Sequence, residues 1–119
     1  MTVLVVDDSR VARMMTRHAI ESVGPGWTVA EATSGEEALA LAAANAPRAA
    51  LLDVNMPGIN GIETARRLRQ ALPQVAISLL TANIQDPIRQ HAEEMGIGFM
   101  TKPIHADQLK AFLDAAAGS

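Results

Sequence analysis

Five short apolar runs alternate with longer stretches of helical period, and this alternation constrains the fold more than any other feature. The runs are Val3 to Val6, Trp27 to Ala30, Ala49 to Leu52, Val75 to Leu80 and Gly98 to Thr101. Between them lie candidate helices near 9–23, 35–45, 61–72, 86–95 and 105–116. Strands this apolar need cover on both faces, and strands separated by helices pair in parallel. The chain therefore reads as five β-α units in an α/β fold, a doubly wound parallel sheet with helices on both faces. At 119 residues, 49% of them apolar, it can bury its own core and fits one domain over 1–119. The Ala-rich stretch 38–44 reads as close helix packing.

Helix ends carry their own signals. Ser34 with Glu37 predicts a capping box, and Asn60 with Glu63 is its asparagine counterpart. Asp86 before Pro87 reads as an N-cap followed by proline at the first helical position. Gly96 stands where a left-handed stop is expected, and Gly24-Pro25-Gly26 forces a turn. In the third helix Ile62, Ala65, Leu68 and Leu72 share one face, while Arg66, Arg67 and Arg69 read as a solvated one.

Several function classes fall away. There is no cysteine, which removes disulfides, thiolate metal sites and cysteine nucleophiles. The net charge of -3 and three aromatics offer no nucleic-acid footprint. No apolar run approaches the roughly 20 residues of a membrane span. Met1-Thr2 passes straight into Val3, which predicts no signal peptide and a soluble protein of the reducing cytoplasm.

The polar residues are informative by position. Asp7 and Asp8 follow the first strand, Asp53 the third, Thr81 the fourth and Lys102 the fifth. In an open parallel sheet all carboxyl ends lie at one edge, where such folds bind ligands. A lone Asp at a strand end has an ordinary reading as a helix cap, which is a serious alternative for Asp8. Four strands ending in chemically capable groups favour a site. Three carboxylates meeting there repel, by roughly 4 kcal/mol per pair at 4 Å and an effective dielectric near 20. Either one is protonated or a cation sits among them. Oxygen donors without His or Cys favour Mg²⁺ over softer ions, and the absence of a spaced acidic loop argues against Ca²⁺.

The pair Asp7-Asp8, the run Asp53-Val54-Asn55-Met56-Pro57-Gly58-Ile59-Asn60-Gly61, the pair Thr81-Ala82 and the pair Lys102-Pro103 closely resemble the CheY-like receiver domain of two-component response regulators. The resemblance covers essentially the whole chain. It implies a flavodoxin-like strand order 2-1-3-4-5, with Asp53 as phosphoacceptor from a phosphohistidine on a histidine kinase or histidine phosphotransfer protein. It further implies Mg²⁺ held by Asp8, Asp53 and the Asn55 backbone carbonyl, with Asp7 acting through water. Lys102 and the Thr81 hydroxyl would each pair with a phosphoryl oxygen, and Ala82 would keep the approach open. Pro57, Gly58 and Gly61 would shape the acceptor loop, and the Lys102-Pro103 peptide would be cis.

The same resemblance implies a switch. Thr81 moves toward the phosphoryl group and Phe99 turns inward, with plain core packing as the alternative for Phe99. The output surface would span Ile84 to Phe112, over the fourth helix, fifth strand and fifth helix, for a downstream protein or a homodimer. Asn55 and Asn83 would flank the hydrolytic water and give the phosphoryl group a moderate lifetime. Arg10, Val11 and Met14 are candidates for the kinase-docking face. Met14, Met15, Met56, Met95 and Met100 otherwise read as core or loop filler. His18, His91 and His105 lack ligand spacing and read as surface or capping residues.

Other readings remain open. A haloacid-dehalogenase-type aspartyl-phosphate phosphatase also uses a strand-end Asp, but needs a second Asp where Asn55 stands. A non-phosphorylated docking or dimerisation module would not require the acceptor-site residues, all of which are present. A flavodoxin-like cofactor binder would need a Gly-rich phosphate loop after the first strand. A receiver occupying the whole length leaves no output domain here, whether the chain is a stand-alone regulator or a receiver cut from a longer protein.

Overall fold

A computed structural model describes residues 1–56, 58–82 and 86–118. Within these, strands and helices alternate as β1 (Thr2–Val6), α1 (Arg10–Val23), β2 (Thr28–Ala32), α2 (Gly35–Ala44), β3 (Ala49–Asp53), α3 (Gly61–Ala71), β4 (Ala76–Thr81), α4 (Asp86–Met95), β5 (Gly98–Thr101) and α5 (Ala106–Gly118). The strands form one parallel sheet in the order β2-β1-β3-β4-β5. The chain reverses its direction of winding between β1 and β3, the switch point at whose carboxyl ends such folds bind ligands. Expectations placed on Pro57, Asn83 and Ile84 lie outside the described residues.

The period-2 alternation of a strand splits the core in two. Leu4, Val6, Ala50, Leu52, Ile77 and Leu79 face one side, where α2, α3 and α4 contribute Ala38, Leu68 and Ala92. Val3, Val5, Ala49, Leu51, Leu80 and Met100 face the other, against Ile20 of α1 and Leu109 and Leu113 of α5. Most of these side chains are fully buried, which is why the strands read as continuous apolar runs.

Several local expectations need correction. β2 runs to Ala32 rather than ending at Ala30, and it starts after Trp27, whose N–H closes a turn on the Gly24 carbonyl at 3.0 Å. Glu31 concealed the extension, because an acid in an edge strand is tolerated where Arg13 and Arg17 pair with it. Asp8 does not cap α1; the Ser9 hydroxyl does, accepting from the Ala12 N–H at 3.2 Å. Ser34 and Asn60 accept from the N–H groups of Glu37 and Glu63 as expected. The reciprocal bonds of a full box are absent among the described residues, since Glu37 turns to the Thr33 N–H and Glu63 to Arg66 and Arg67. α4 opens at Asp86 itself rather than at Pro87. Gly96 does stand in the left-handed region, at φ +66°. His18, His91 and His105 are exposed, and the His105 carbonyl accepts from Leu109 at the start of α5.

The solvated arginine face of α3 holds for Arg66 and Arg67, but Arg69 is half-buried with its Nε shielded from solvent. Met14 and Met15 are 57% and 61% exposed, so neither is core filler, whereas Met56 and Met100 are buried. The reason lies in α1: Thr16 and Ile20 are its buried residues, and Met14 and Met15 fall off that stripe.

Gly61 shows why the loop after β3 requires a residue without a Cβ. A Cβ added there would lie 2.1 Å from the Asp53 carbonyl oxygen. The close approach is made by the Gly61 N–H bonding the Val54 carbonyl at 3.1 Å. Gly58 in the same loop has φ +76°, a conformation other L-residues avoid, and the Glu36 carboxylate on α2 holds the next N–H, that of Ile59, at 3.3 Å.

Candidate functional site

The alternation that builds the core also builds the site. Asp7 continues the series Val3, Val5; Asp53 continues Ala49, Leu51; Lys102 continues Met100; all three belong to the α1–α5 face of the sheet. The two acids lie on neighbouring strands at the same level, since Val6 pairs with Leu52. Asp7 is 2% exposed and Asp53 is 7% exposed. The Lys102 ammonium donates to Asp7 Oδ2 at 2.9 Å and to Asp53 Oδ1 at 3.3 Å. Asp8 is exposed, yet carboxylate oxygens of Asp7, Asp8 and Asp53 lie within 4.8 Å of one another.

The surroundings hold these groups in place. Asp7 Oδ1 accepts from the Ser9 N–H at 2.9 Å, its own N–H donates to the Ala32 carbonyl at 3.1 Å, and its carbonyl accepts from Arg13 Nη1 at 2.8 Å. The Asn55 N–H bonds the Asp53 carboxylate, while the Asn55 side chain stands in solvent. Thr81 is 2% exposed, and its carbonyl accepts from the Lys102 N–H at 2.8 Å, joining the ends of β4 and β5. Ala82 beside it is exposed, and the Lys102–Pro103 peptide is cis. Phe99 is half-buried on β5, and the Arg89 guanidinium of α4 lies 5.5 Å from its ring centroid.

Charge is out of balance in this pocket. Burial pushes the Asp53 carboxyl above the usual carboxylate range, and the neighbouring Asp7 charge raises it further; Lys102 and the Asn55 N–H offset only part of this. Burial alone would lower Lys102, but its bond to Asp7 and the charges of Asp53 and Asp7 outweigh that and hold it above the usual lysine value. Both values rise, yet the rise favours the charged lysine and the neutral carboxyl, because Lys102 faces two anions whereas buried Asp53 faces one cation and one anion. The pocket is short of positive charge. Among the described residues, the side chains grouped there as candidate ligands are the carboxylates of Asp7, Asp8 and Asp53, which suits a small hard cation.

The response regulator receiver domain model matches residues 3–114. The chain belongs to the response regulator receiver family. Among its relatives, the cyclic di-GMP phosphodiesterase response regulator RpfG of Xanthomonas campestris pv. campestris is 41% identical over 115 residues, covering 93% of this chain and 30% of RpfG. The response regulator UvrY of Escherichia coli K12 is 33% identical over 101 residues, covering 84% of this chain and 46% of UvrY. This receiver thus spans less than half the length of either protein. The solved structure of the chemotaxis protein CheY4 of Vibrio cholerae superposes with a TM-score of 0.85 at 30% identity, over 97% of each chain. Receiver domains generally bind Mg²⁺ through an aspartate cluster, and Asp7, Asp8 and Asp53 are grouped here. Receiver domains generally take their phosphoryl group from a histidine kinase. Among the described residues no helix is long and apolar enough to cross a membrane.

The receiver fold thus gathers Asp7, Asp8, Asp53 and Lys102 at one point, with Thr81 at the adjoining strand end. Asn83 and Pro57 lie outside the described residues. Sequence reasoning missed Arg13 and Glu31. An arginine one turn after the acidic pair and a lone acid in an otherwise apolar edge strand were the available signals, and neither names its partner.

Proposed function

We propose that Asp53 accepts a phosphoryl group from a phosphohistidine on a histidine kinase or histidine phosphotransfer protein. The observation that carries this reading is the placement of a buried carboxylate, flanked by Asp7, Asp8 and Lys102, at the carboxyl edge of the sheet. An Asp53 oxygen attacks phosphorus, the P–N bond breaks, and its electron pair stays with the histidine nitrogen. An ionised carboxylate needs no general base, so positioning and charge neutralisation suffice. Asp8, Asp53 and the Asn55 carbonyl would hold Mg²⁺, with Asp7 acting through water. The ion would supply charge neutralisation at the phosphoryl oxygens. Lys102 and the Thr81 hydroxyl each take a phosphoryl oxygen, and exposed Ala82 leaves the approach clear. Because Lys102 rests on Asp7 and Asp53 beforehand, it has to shift its bonds as the phosphoryl group arrives.

The donor docks over α1 and the loop after β5. A cleft of about 410 Å³ lies there beside Lys102, lined by Ala12, Met15, Thr16, Ala19, Pro103 and Ile104. Val11 and Met14 expose further apolar surface next to it. The phosphoryl group biases Thr81 and Phe99, shifting the population of the α4–β5–α5 face that a downstream protein or a second copy reads. Asn55 and Asn83 orient the hydrolytic water, and as amides they act without general-base help. The unit 1–119 works as one receiver in the cytoplasm, catalysing only its own phosphorylation and dephosphorylation.

Mass spectrometry after incubation with Mg²⁺ and acetyl phosphate tests the reading. A single phosphoryl adduct on the wild type and none on Asp53→Asn is expected. An unmodified wild type would leave the docking-module reading instead, and Mg²⁺-dependent multiple turnover of a small phosphate ester would favour a phosphatase.

A further inference from the structure

We infer that Arg13 is a positioning residue for the acidic pocket: its guanidinium, braced by Glu31, fixes the Asp7–Asp8 peptide and so sets the direction of the Asp8 carboxylate. The carbonyl of Asp7 and the N–H of Asp8 belong to one rigid peptide plane. Arg13 Nη1 donates to that carbonyl at 2.8 Å. The preceding peptide is pinned by the Asp7 N–H on the Ala32 carbonyl at 3.1 Å, and the following one by the Ser9 N–H on Asp7 Oδ1 at 2.9 Å. Arg13 closes the set from the α1 side. Its side chain is 13% exposed, so the bond is shielded from competing water.

Glu31 braces the arrangement and offsets part of its charge. Its carboxylate accepts from Arg13 Nε at 3.2 Å and pairs through its other oxygen with Arg17. The planar guanidinium is thus held at two edges, by a strand carboxylate and by the Asp7 carbonyl, a fork that lysine cannot reproduce. A bare cation this close would repel Mg²⁺; Glu31, shared with Arg17, offsets part of that field while the Arg13 guanidinium supplies direction. Arg17 shares Glu31 but has no bond to Asp7 among those described, which makes it an internal control.

The inference rests on the proposed Mg²⁺ site, and position and charge give opposite signs in one experiment. Mg²⁺ affinity is measured by calorimetry on the wild type, Arg13→Ala, Arg13→Lys and Arg17→Ala, with amide NMR shifts recorded in chelator. Groups that orient metal-binding residues typically change affinity by about 10- to 100-fold when removed. Arg13→Ala is expected to bind Mg²⁺ about tenfold more weakly although a positive charge has been lost. Arg13→Lys should fall between it and the wild type, and Arg17→Ala should stay within about twofold. The Asp8 and Ser9 amide shifts should move in both Arg13 variants and not in Arg17→Ala. Tighter or unchanged binding by a folded Arg13→Ala, or an equal loss in Arg17→Ala, would overturn the assignment. If Arg13→Ala does not fold, Arg13→Lys decides: wild-type affinity with unmoved Asp8 and Ser9 amides contradicts the inference. A wild type that binds no Mg²⁺ defeats the site reading, while the chelator spectra still report on whether Arg13 positions Asp8.

Discussion

The two edges of the sheet are built from the same β-α repeat and treat charge in opposite ways. At the amino edge Arg48 bonds backbone to backbone with Thr2 at 2.9 Å and Ala76 at 3.1 Å. Its guanidinium donates to the carbonyls of Ala116 and Ala117 in the last turn of α5, at 3.1 and 3.3 Å. A cation at a helix C-terminus meets the negative end of the helix dipole and carbonyls lacking intrahelical donors, so local chemistry satisfies it. The neighbouring cleft, lined by Ala46, Pro47, Leu72, Pro73 and Val75 among others, includes no carboxylate. At the carboxyl edge Asp7 and Asp53 are buried side by side with one ammonium between them, and Asp8 adds a third carboxylate. One edge closes the fold, and the other holds an imbalance that a cation and a phosphoryl group can use.

The contrast can be broken by substitution, and the largest effect is expected where the two demands meet. Gly61→Ala would place a Cβ 2.1 Å from the Asp53 carbonyl oxygen, so the backbone around the acceptor must move. We expect a loss of about 3 kcal/mol in denaturant unfolding, the cost of overpacking a tight site, together with reduced adduct formation. A loss under about 1 kcal/mol would show that the loop has room to relax.

Lys102→Ala leaves Asp7 and Asp53 without their shared cation. In chelator at neutral pH we expect destabilisation of about 2 kcal/mol, partly recovered by Mg²⁺. Lys102 is raised in the folded state, so its contribution is fully present below the ordinary lysine pKa and is lost as pH rises through the folded value. Equal stability of variant and wild type at neutral pH would mean that this pair offsets no repulsion.

Asp53→Asn should act in the opposite direction, and more weakly. The Asp53 carboxyl is raised, so the folded state holds that proton more tightly than the unfolded chain does. Stability therefore falls as pH climbs from 3.8 through the folded value, and the ionised group costs stability above it. In chelator, thermal melts should show Asp53→Asn more stable than wild type at neutral pH, with the advantage vanishing toward pH 3.8, the ordinary value. A destabilised Asp53→Asn at neutral pH would contradict the charge imbalance. Arg48→Ala, at the quiet edge, should cost about 1 kcal/mol and leave adduct yield unchanged; altered yield would mean that the two edges are coupled.

Much of this was legible because period-2 alternation, turn glycines and strand-end acids report the same geometry. Asp7, Asp53 and Lys102 meet because each extends the inward series of its own strand, a fact visible once the strands are placed. What was hidden depends on contacts across the fold. Glu31 interrupts the apolar run that ends at Ala30, and its place inside β2 depends on Arg13 and Arg17 of α1. Met14 and Met15 read as core or loop filler, with Met14 also a docking candidate, and helical phase turns both to solvent. Helix capping was the alternative for Asp8, and the Ser9 hydroxyl takes that role instead. In each case the deciding information was a partner on another element or a rotation of about one residue, which composition does not carry.

The most direct measurement is the position of the phosphoryl group itself. The protein would be phosphorylated with acetyl phosphate and Mg²⁺, reduced with borohydride to trap an acyl phosphate, digested and mapped by tandem mass spectrometry. Reductive label confined to residue 53, and lost when Mg²⁺ is chelated, is the expected result. Label at Asp7 or Asp8, or a fully phosphorylated protein with no reducible acyl phosphate, would contradict the assignment of Asp53 as acceptor.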